Sequence, residues 1–376
     1  MFPTPAKTRS LHRKVSLEDT VWYSKDRLLL REDSIAIGRS FASGTLGNIN
    51  QSDGSSMPVL VEWMRSIPLS RHKGGEGKLH DRLEAIAKHS RDPGVLRGLP
   101  VLRCLGYYYD THLSSSGLVY QIPTAKSIPP CLFTLKEAIR TYDRPNRDEL
   151  YNCAYRISNA LLQLHRRGWH HENFSSDIVV LSDTPVEPSG WYGAPRTIGT
   201  KFLKWNRNTR VYERHHGEPA ISSRALYIVG IHYTFTGDFD YFDYPDLEQV
   251  PPFEQVPPEV LRRMIHIHPD CKNDDDRYPG HFLYSYYSLG MVLIELGLWM
   301  QLDHLAEGEA FEENPATAPH LWLREYVPQL GPSMGSTYED IVAWCLGATN
   351  RYGPRGPFAM DAFEKHVVNR IRDFLP

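Results

Sequence analysis

Apolar residues recur at the spacing of one helical face over Leu150, Ala154, Ile157, Leu161 and Leu164, which predicts a helix packed against a core. Asn146 is placed to cap its first turn, and Glu149 three residues later can return a bond to the cap's backbone. Arg166, Arg167 and Gly168 close it, because cations suit the negative end of the helix dipole and glycine adopts the left-handed conformation that stops a helix. A polar loop follows, then an apolar strand at 178–181. A loop held between a packed helix and a strand is well placed to position functional side chains.

Elsewhere the pattern alternates between strand and helix. Residues 1–33 are polar with scattered apolar positions and read as an N-terminal arm. From Ser34, β-branched residues mixed with Gly38, Gly44 and Gly47, the Asp53-Gly54 turn and the run 59–63 predict three antiparallel strands. Leu79, Leu83, Ile86 and Ala87 share a helical face, and VLRCLGYYYD and GLVYQIP predict two further strands, completing a five-stranded sheet. Thr134 with Glu137 forms a capping box that opens the helix TLKEAIR. Residues 182–225 form an insert rich in Gly, Pro, Trp and Arg, LYIVGIHYTF predicts a strand, and EQVPP occurs at Glu248 and again at Glu254. Helices are predicted at 285–299, from Ser336 to Leu346, and at 359–374. Glu295 lies within the most apolar stretch, 283–302, so that stretch is expected to be a buried core helix and not a membrane span.

The 376 residues are 41% hydrophobic and 23% charged, enough for a substantial core. A net charge of -3 carries no nucleic-acid signature. The five cysteines are odd in number and free of any C-x-x-C pair, which fits a reducing, cytoplasmic setting. Among the seventeen histidines, the pairs His170-His171 and His215-His216, and His266 with His268, lack cysteine or acidic partners at zinc spacing. Structural or surface roles are expected for them.

The order helix, x-L-H-x-x-G, His, polar loop and apolar strand resembles the approach to the catalytic loop H-R-D-L-x-x-x-N of eukaryotic protein kinases. Ser285 to Trp299, SYYSLGMVLIELGLW, resembles the core helix D-V-Y-S-L-G-V-x-L-x-E-L of the same family, with Ser285 in place of the aspartate that braces the catalytic loop's backbone. The resemblance implies an α+β, two-lobed protein-kinase-like fold. A small antiparallel β lobe would span 34–125, and a larger, mainly helical lobe 126–376. ASGTLGNI, with Gly44 and Gly47, overlays the phosphate-covering glycine loop. In VLVEWM the phosphate-neutralising lysine's place falls to Glu62 or Met64, by register. Glu84 stands where a helix supplies that lysine's glutamate, with a solvated surface charge the simpler reading. Gly230, Ile231 and His232 occupy the D-F-G places, so Gly230 replaces the magnesium-binding aspartate, and His268-Pro269-Asp270 resembles A-P-E.

Two registers of the loop are open. With His171 as the motif histidine, Phe174 takes the buried leucine place, Asn173 the catalytic aspartate's and Ile178 the metal-binding asparagine's. An amide cannot accept the proton, and general base catalysis is worth about 10² to 10⁴ in rate. With His170 instead, Glu172 becomes the base and Asp177 a metal ligand. The second register buries Asn173 in an apolar place at about 1 to 3 kcal/mol, which favours the first. In either register at least two groups needed for ATP and magnesium, the cofactors the resemblance implies, are missing.

The expected function is therefore a catalytically impaired pseudokinase with a signalling or binding role, at most weak ATP binding, and an unidentified protein partner. It is similar to divergent kinase-like domains of filamentous fungi, which often follow a prion-inhibition-type helical domain in incompatibility and cell-death proteins. Their loop W-x-H-x-N-x-x-S is matched by Trp169, His171, Asn173 and Ser176. Strands beginning by about residue 34 leave no such helical domain within this chain, so binding or signalling is expected ahead of membrane activity. The alternatives are an active atypical Ser/Thr kinase using Glu172 and Asp177, and a small-molecule phosphotransferase of kinase-like fold. A structural scaffold would instead have its cleft plugged by Met64 and Trp63.

Overall fold

A computed structural model describes residues 28–35, 44–50, 55–64, 84, 87–88, 99–110, 115–123, 132–168, 170–171, 174–182, 204–206, 211–213, 225–229, 234–235, 265–266, 268, 282–302, 324–348 and 359–375. Among these residues the architecture is α+β, with small antiparallel sheets and six helices.

Five strands, β1 (Leu28–Ile35), β2 (Gly44–Asn50), β3 (Ser56–Met64), β4 (Cys104–Asp110) and β5 (Ser115–Gln121), form one antiparallel sheet in the order β1-β2-β3-β5-β4. The first strand begins at Leu28, earlier than the Ser34 start expected, because Leu28 is buried opposite Ile49. Side chains alternate across the sheet. Val59, Val61 and Val119 pack with Leu28, Ile49 and Tyr108 in a small outer core, whereas Leu60, Cys104, Leu118 and Tyr120 join the main core. Trp63 belongs to the outer face, edge-on to Tyr108 at 5.6 Å and donating through Nε1 to Thr45 Oγ1 at 2.8 Å. It therefore lies on the opposite face from Glu62 and plugs nothing there. The helix expected around residues 79–87 is described only at Glu84, Ala87 and Lys88, all helical, with Ala87 buried.

The capping box expected at Thr134 forms, and Asn146 caps the next helix through its side chain. The strand β6 (Leu132–Thr134) runs into α1 (Leu135–Thr141), where Thr134 Oγ1 accepts from the Glu137 amide at 3.1 Å and Glu137 Oε2 accepts from the Thr134 amide at 2.9 Å. In α2 (Arg147–His165) the Asn146 side chain accepts from the Glu149 amide at 2.9 Å. Leu150, Ala154, Ile157, Leu161 and Leu164 are all buried, and Gly168 has φ 75°.

Next come β7 (His170–His171) and β8 (Val179–Ser182). The hairpin β9 (Lys204–Asn206) and β10 (Val211–Glu213) lies within the insert. Its ends meet, because β11 (Ala225–Ile228) pairs with β8 and places Ala225 opposite Ser182. The stretch 226–235 is not the single strand predicted: β11 pairs with β8, and a separate β12 (Thr234–Phe235) pairs with β7.

The apolar helix α3 (Phe282–Leu298) is buried on all sides from Ser285 to Gly297. It packs against α4 (Val327–Met334) and α5 (Ser336–Leu346). Gly335, with φ 99°, is the N-cap of α5, and Ser336 is the first helical residue. The last helix, α6, runs through Ala359–Phe363, a π-helical turn Glu364–Val368, and Asn369–Arg372. No helix among the described residues is long and apolar enough to cross a membrane. Cys104, Cys153 and Cys345 are buried thiols outside any disulfide; burial pushes the Cys153 thiol up to about 12, so it packs as an apolar group.

Candidate functional site

The segment following α2 is fastened to the core by backbone groups. His171 is fully buried, its Nε2 lies 3.0 Å from the Val229 carbonyl, and its ring meets Phe174 edge-on at 5.6 Å. Its own carbonyl accepts from Ser285 Oγ of α3 at 3.0 Å. The serine thus braces the loop's backbone from the position where the resemblance places an aspartate. Downstream, Phe174, Ser175, Ser176 and Ile178 are all buried. The turn is closed by Ile178 N to Ser175 O at 3.2 Å and joined to β11 by Val229 N to Ile178 O at 3.0 Å.

Asp177 is the charged group in this turn. Its Oδ2 is 3.3 Å from Lys136 Nζ of α1, with both side chains largely shielded. The Lys136 amide bonds the Ser176 carbonyl at 3.3 Å, so α1 holds the loop twice. Burial pushes the Asp177 carboxyl above its ordinary value and Glu295 adds to the rise, while Lys136 and His266 oppose it.

Glu295, fully buried in α3, is the second charged anchor. Oε2 lies 3.2 Å from His266 Nε2 and Oε1 accepts from the Leu302 amide at 3.0 Å. Burial alone would raise this carboxyl, but His266, the Ser176 hydroxyl and the Leu302 amide outweigh it and hold it below the usual range. Ser288 Oγ donates to the His266 carbonyl at 2.6 Å. His268 packs between Tyr284 and Tyr287 at 5.0 and 4.9 Å. Sequence reading had marked Glu295 only as a charge in an apolar stretch. Such a charge requires a buried partner, but nothing local indicates that the partner is His266.

Further polar residues are buried in the five-stranded sheet. Glu62 is opposite Gly44 on β2 and Leu118 on β5, points to the inner side with Leu60, and is fully buried. Tyr120 lies beside it: burial pushes the phenol far up, and the Glu62 carboxylate and Cys104 push it further. Gly47 is on β2 opposite Val59, and Met64 ends β3 opposite Ser116. Glu84 pairs with Lys88 one turn away at 2.5 Å, which is the surface-charge role expected of it. Glu172, Asn173 and Gly230 lie outside the described residues, as does the side chain of His170. Among the described residues no group of His, Cys, Asp and Glu side chains is arranged to hold a metal ion.

The structure thus gathers His171, Phe174, Ser176, Asp177 and Ile178 on one side, with Ser285 and Glu295 beneath them. It places Glu62 with Gly44 on the sheet. A scan against protein-family models and a search of curated proteins return no match to this sequence.

Proposed function

We propose that this chain is a two-lobed protein-kinase-like pseudokinase that acts by binding a protein partner and not by transferring phosphate. The observation that carries this reading is Glu62. On the inner face of β3, where the resemblance calls for a lysine, stands a fully buried carboxylate. Phosphoryl transfer depends on cations that neutralise the phosphates. A carboxyl group at that position supplies no cation to neutralise them, whichever protonation state it holds.

The loop points the same way. His171 faces inward and Phe174 fills the apolar place behind it, as in the first of the two registers. In that register the base position falls to Asn173 and the metal-binding position to the buried Ile178. Asp177, the metal ligand of the competing register, is engaged by Lys136. Ser285 continues to brace the loop, so the scaffold is retained while the chemical groups are replaced. With a net charge of -3 a nucleic-acid partner is not proposed, and a cytoplasmic protein ligand is the class that fits.

The test is a phosphotransfer assay with labelled ATP, magnesium or manganese, and general protein acceptors. Incorporation no greater than that of a heat-denatured control is expected. Transfer that requires the intact chain and disappears in Asp177→Ala would establish the active-kinase alternative instead.

A further inference from the structure

The outer face of the five-stranded sheet is buried more deeply than its own strands account for. Side chains alternate along a strand, and an antiparallel sheet with one face in water carries polar residues on that face. In β3 the outward positions are apolar instead: Leu60 turns to the main core, while Met57, Val59, Val61 and Trp63 belong to the outer cluster. Val59, Val61 and Val119 are 0% exposed and Tyr108 is 3% exposed. Valine side chains are short, and hiding three of them completely takes a second layer over the sheet. Among the described residues, every member of this outer cluster comes from the strands β1 to β5 and none from a helix.

We propose that this outer face is an intramolecular docking surface and that its occupant is residues 1–27, the segment preceding β1. Three observations select that segment. Leu28, the first residue of the edge strand β1, is itself a buried member of the outer cluster, so the chain arrives at the rim of this face. Stretches 36–43, 51–55 and 111–114 each join two neighbouring strands, which commits them to the ends of the sheet. The longer connection between β3 and β4 is drawn to the opposite face, where Ala87, Leu99 and Leu102 belong to the main core. Residues 1–27 also have the reach: strands lie about 4.8 Å apart and an extended chain advances about 3.3 Å per residue, so crossing five strands takes about six residues. Leu11, Val15, Val21 and Trp22 supply apolar side chains to the contact. Their burial takes from water an apolar patch that a folded chain rarely leaves open. This proposal does not depend on the kinase-like reading.

Photo-crosslinking in the intact chain tests it. Leu105 packs on the outer cluster from β4, the edge strand farthest from β1, so benzoylphenylalanine in its place reaches whatever crosses the whole sheet. Isotope-labelled and unlabelled chains are mixed, irradiated and digested, and the joined peptides are identified by mass spectrometry. The expected product links position 105 to a peptide within 1–27, with both halves from the same stock. A product linking it to another segment, one that combines labelled and unlabelled halves, as a second copy on the face would give, or no product with 1–27 overturns the proposal. A second measurement reads the face itself. In the full chain carrying Leu11→Ser, Val15→Ser, Val21→Ser and Trp22→Ser, hydroxyl-radical oxidation of Met57 is expected to rise several-fold over the wild type, while that of Met334 in the main core is unchanged. Met57 oxidation equal to the wild type also overturns the proposal. If both methionines become reactive the variant has unfolded, and the crosslink decides.

Discussion

Ser285 contributes a single hydroxyl, yet it satisfies the buried carbonyl of His171 and so sets the backbone of the loop. Ser285→Ala leaves that carbonyl without its donor, and a loss of about 1 to 3 kcal/mol in urea unfolding is expected. An unchanged midpoint would mean the contact does not hold the loop. Asp177 provides a second residue-level expectation, because its folded pKa is raised above its unfolded one, chiefly by burial. In the interval between the two values the folded state binds the extra proton, so stability falls as the pH rises through that interval. Asp177→Asn removes this fall. Urea midpoints measured from the ordinary aspartate value upward should decline in the wild type relative to Asp177→Asn. Glu295 has the opposite sign: its pKa is lowered, so its contribution is present above the ordinary glutamate value and lost as the pH falls through the depressed one. Parallel profiles for wild type and Asp177→Asn would contradict the burial assigned to Asp177.

At the scale of elements, the helix ends and helix contacts depend on a few glycines. Gly168 ends α2 with φ 75°, and a Cβ built there meets nothing within 4 Å. Gly168→Ala therefore isolates the backbone cost of the left-handed conformation, about 1 to 2 kcal/mol. Gly290 is different: a Cβ would come within 2.9 Å of Leu346 Cδ2 and 3.1 Å of Cys345 Cβ. The Cys345 Cβ is fixed to the backbone of α5 and cannot swing aside, so α3 and α5 must separate. Gly290→Ala should cost about 1 to 3 kcal/mol even though alanine is the better helix former. Thermal unfolding of the two variants, side by side, checks both expectations; a stabilised Gly290→Ala would show that the helices do not pack this closely.

These elements were largely legible in the sequence, because their causes are local. The 3.6-residue spacing from Leu150 to Leu164, the caps at Thr134 and Asn146, and the Gly168 stop each act within a few residues. What was not legible depends on distant partners. The break in 226–235 arises because Ala225–Ile228 finds β8 while Thr234–Phe235 finds β7, and a continuous apolar run does not reveal that two different strands pair with it. The early start of β1 follows from Leu28 meeting Ile49, a partner that the local pattern leaves open. Lys136 with Asp177 and His266 with Glu295 are 41 and 29 positions apart. Their charges were visible and their pairing was not. Only the scaffold alternative put Trp63 in a cleft, and the face it takes was not legible, because strand alternation gives two faces but not which one turns to the core.

For the whole molecule, a main core joins the inner face of the sheet to the helices, with Glu62 on that face and the His171 loop braced by α3. The proposed reading is a kinase-like scaffold without the charges that hold a nucleoside triphosphate. Titration calorimetry of the intact chain with MgATP addresses this most directly. No saturable heat up to millimolar ligand, with or without magnesium, is the expected result. A one-site isotherm that requires magnesium and is abolished by Asp177→Ala would contradict it.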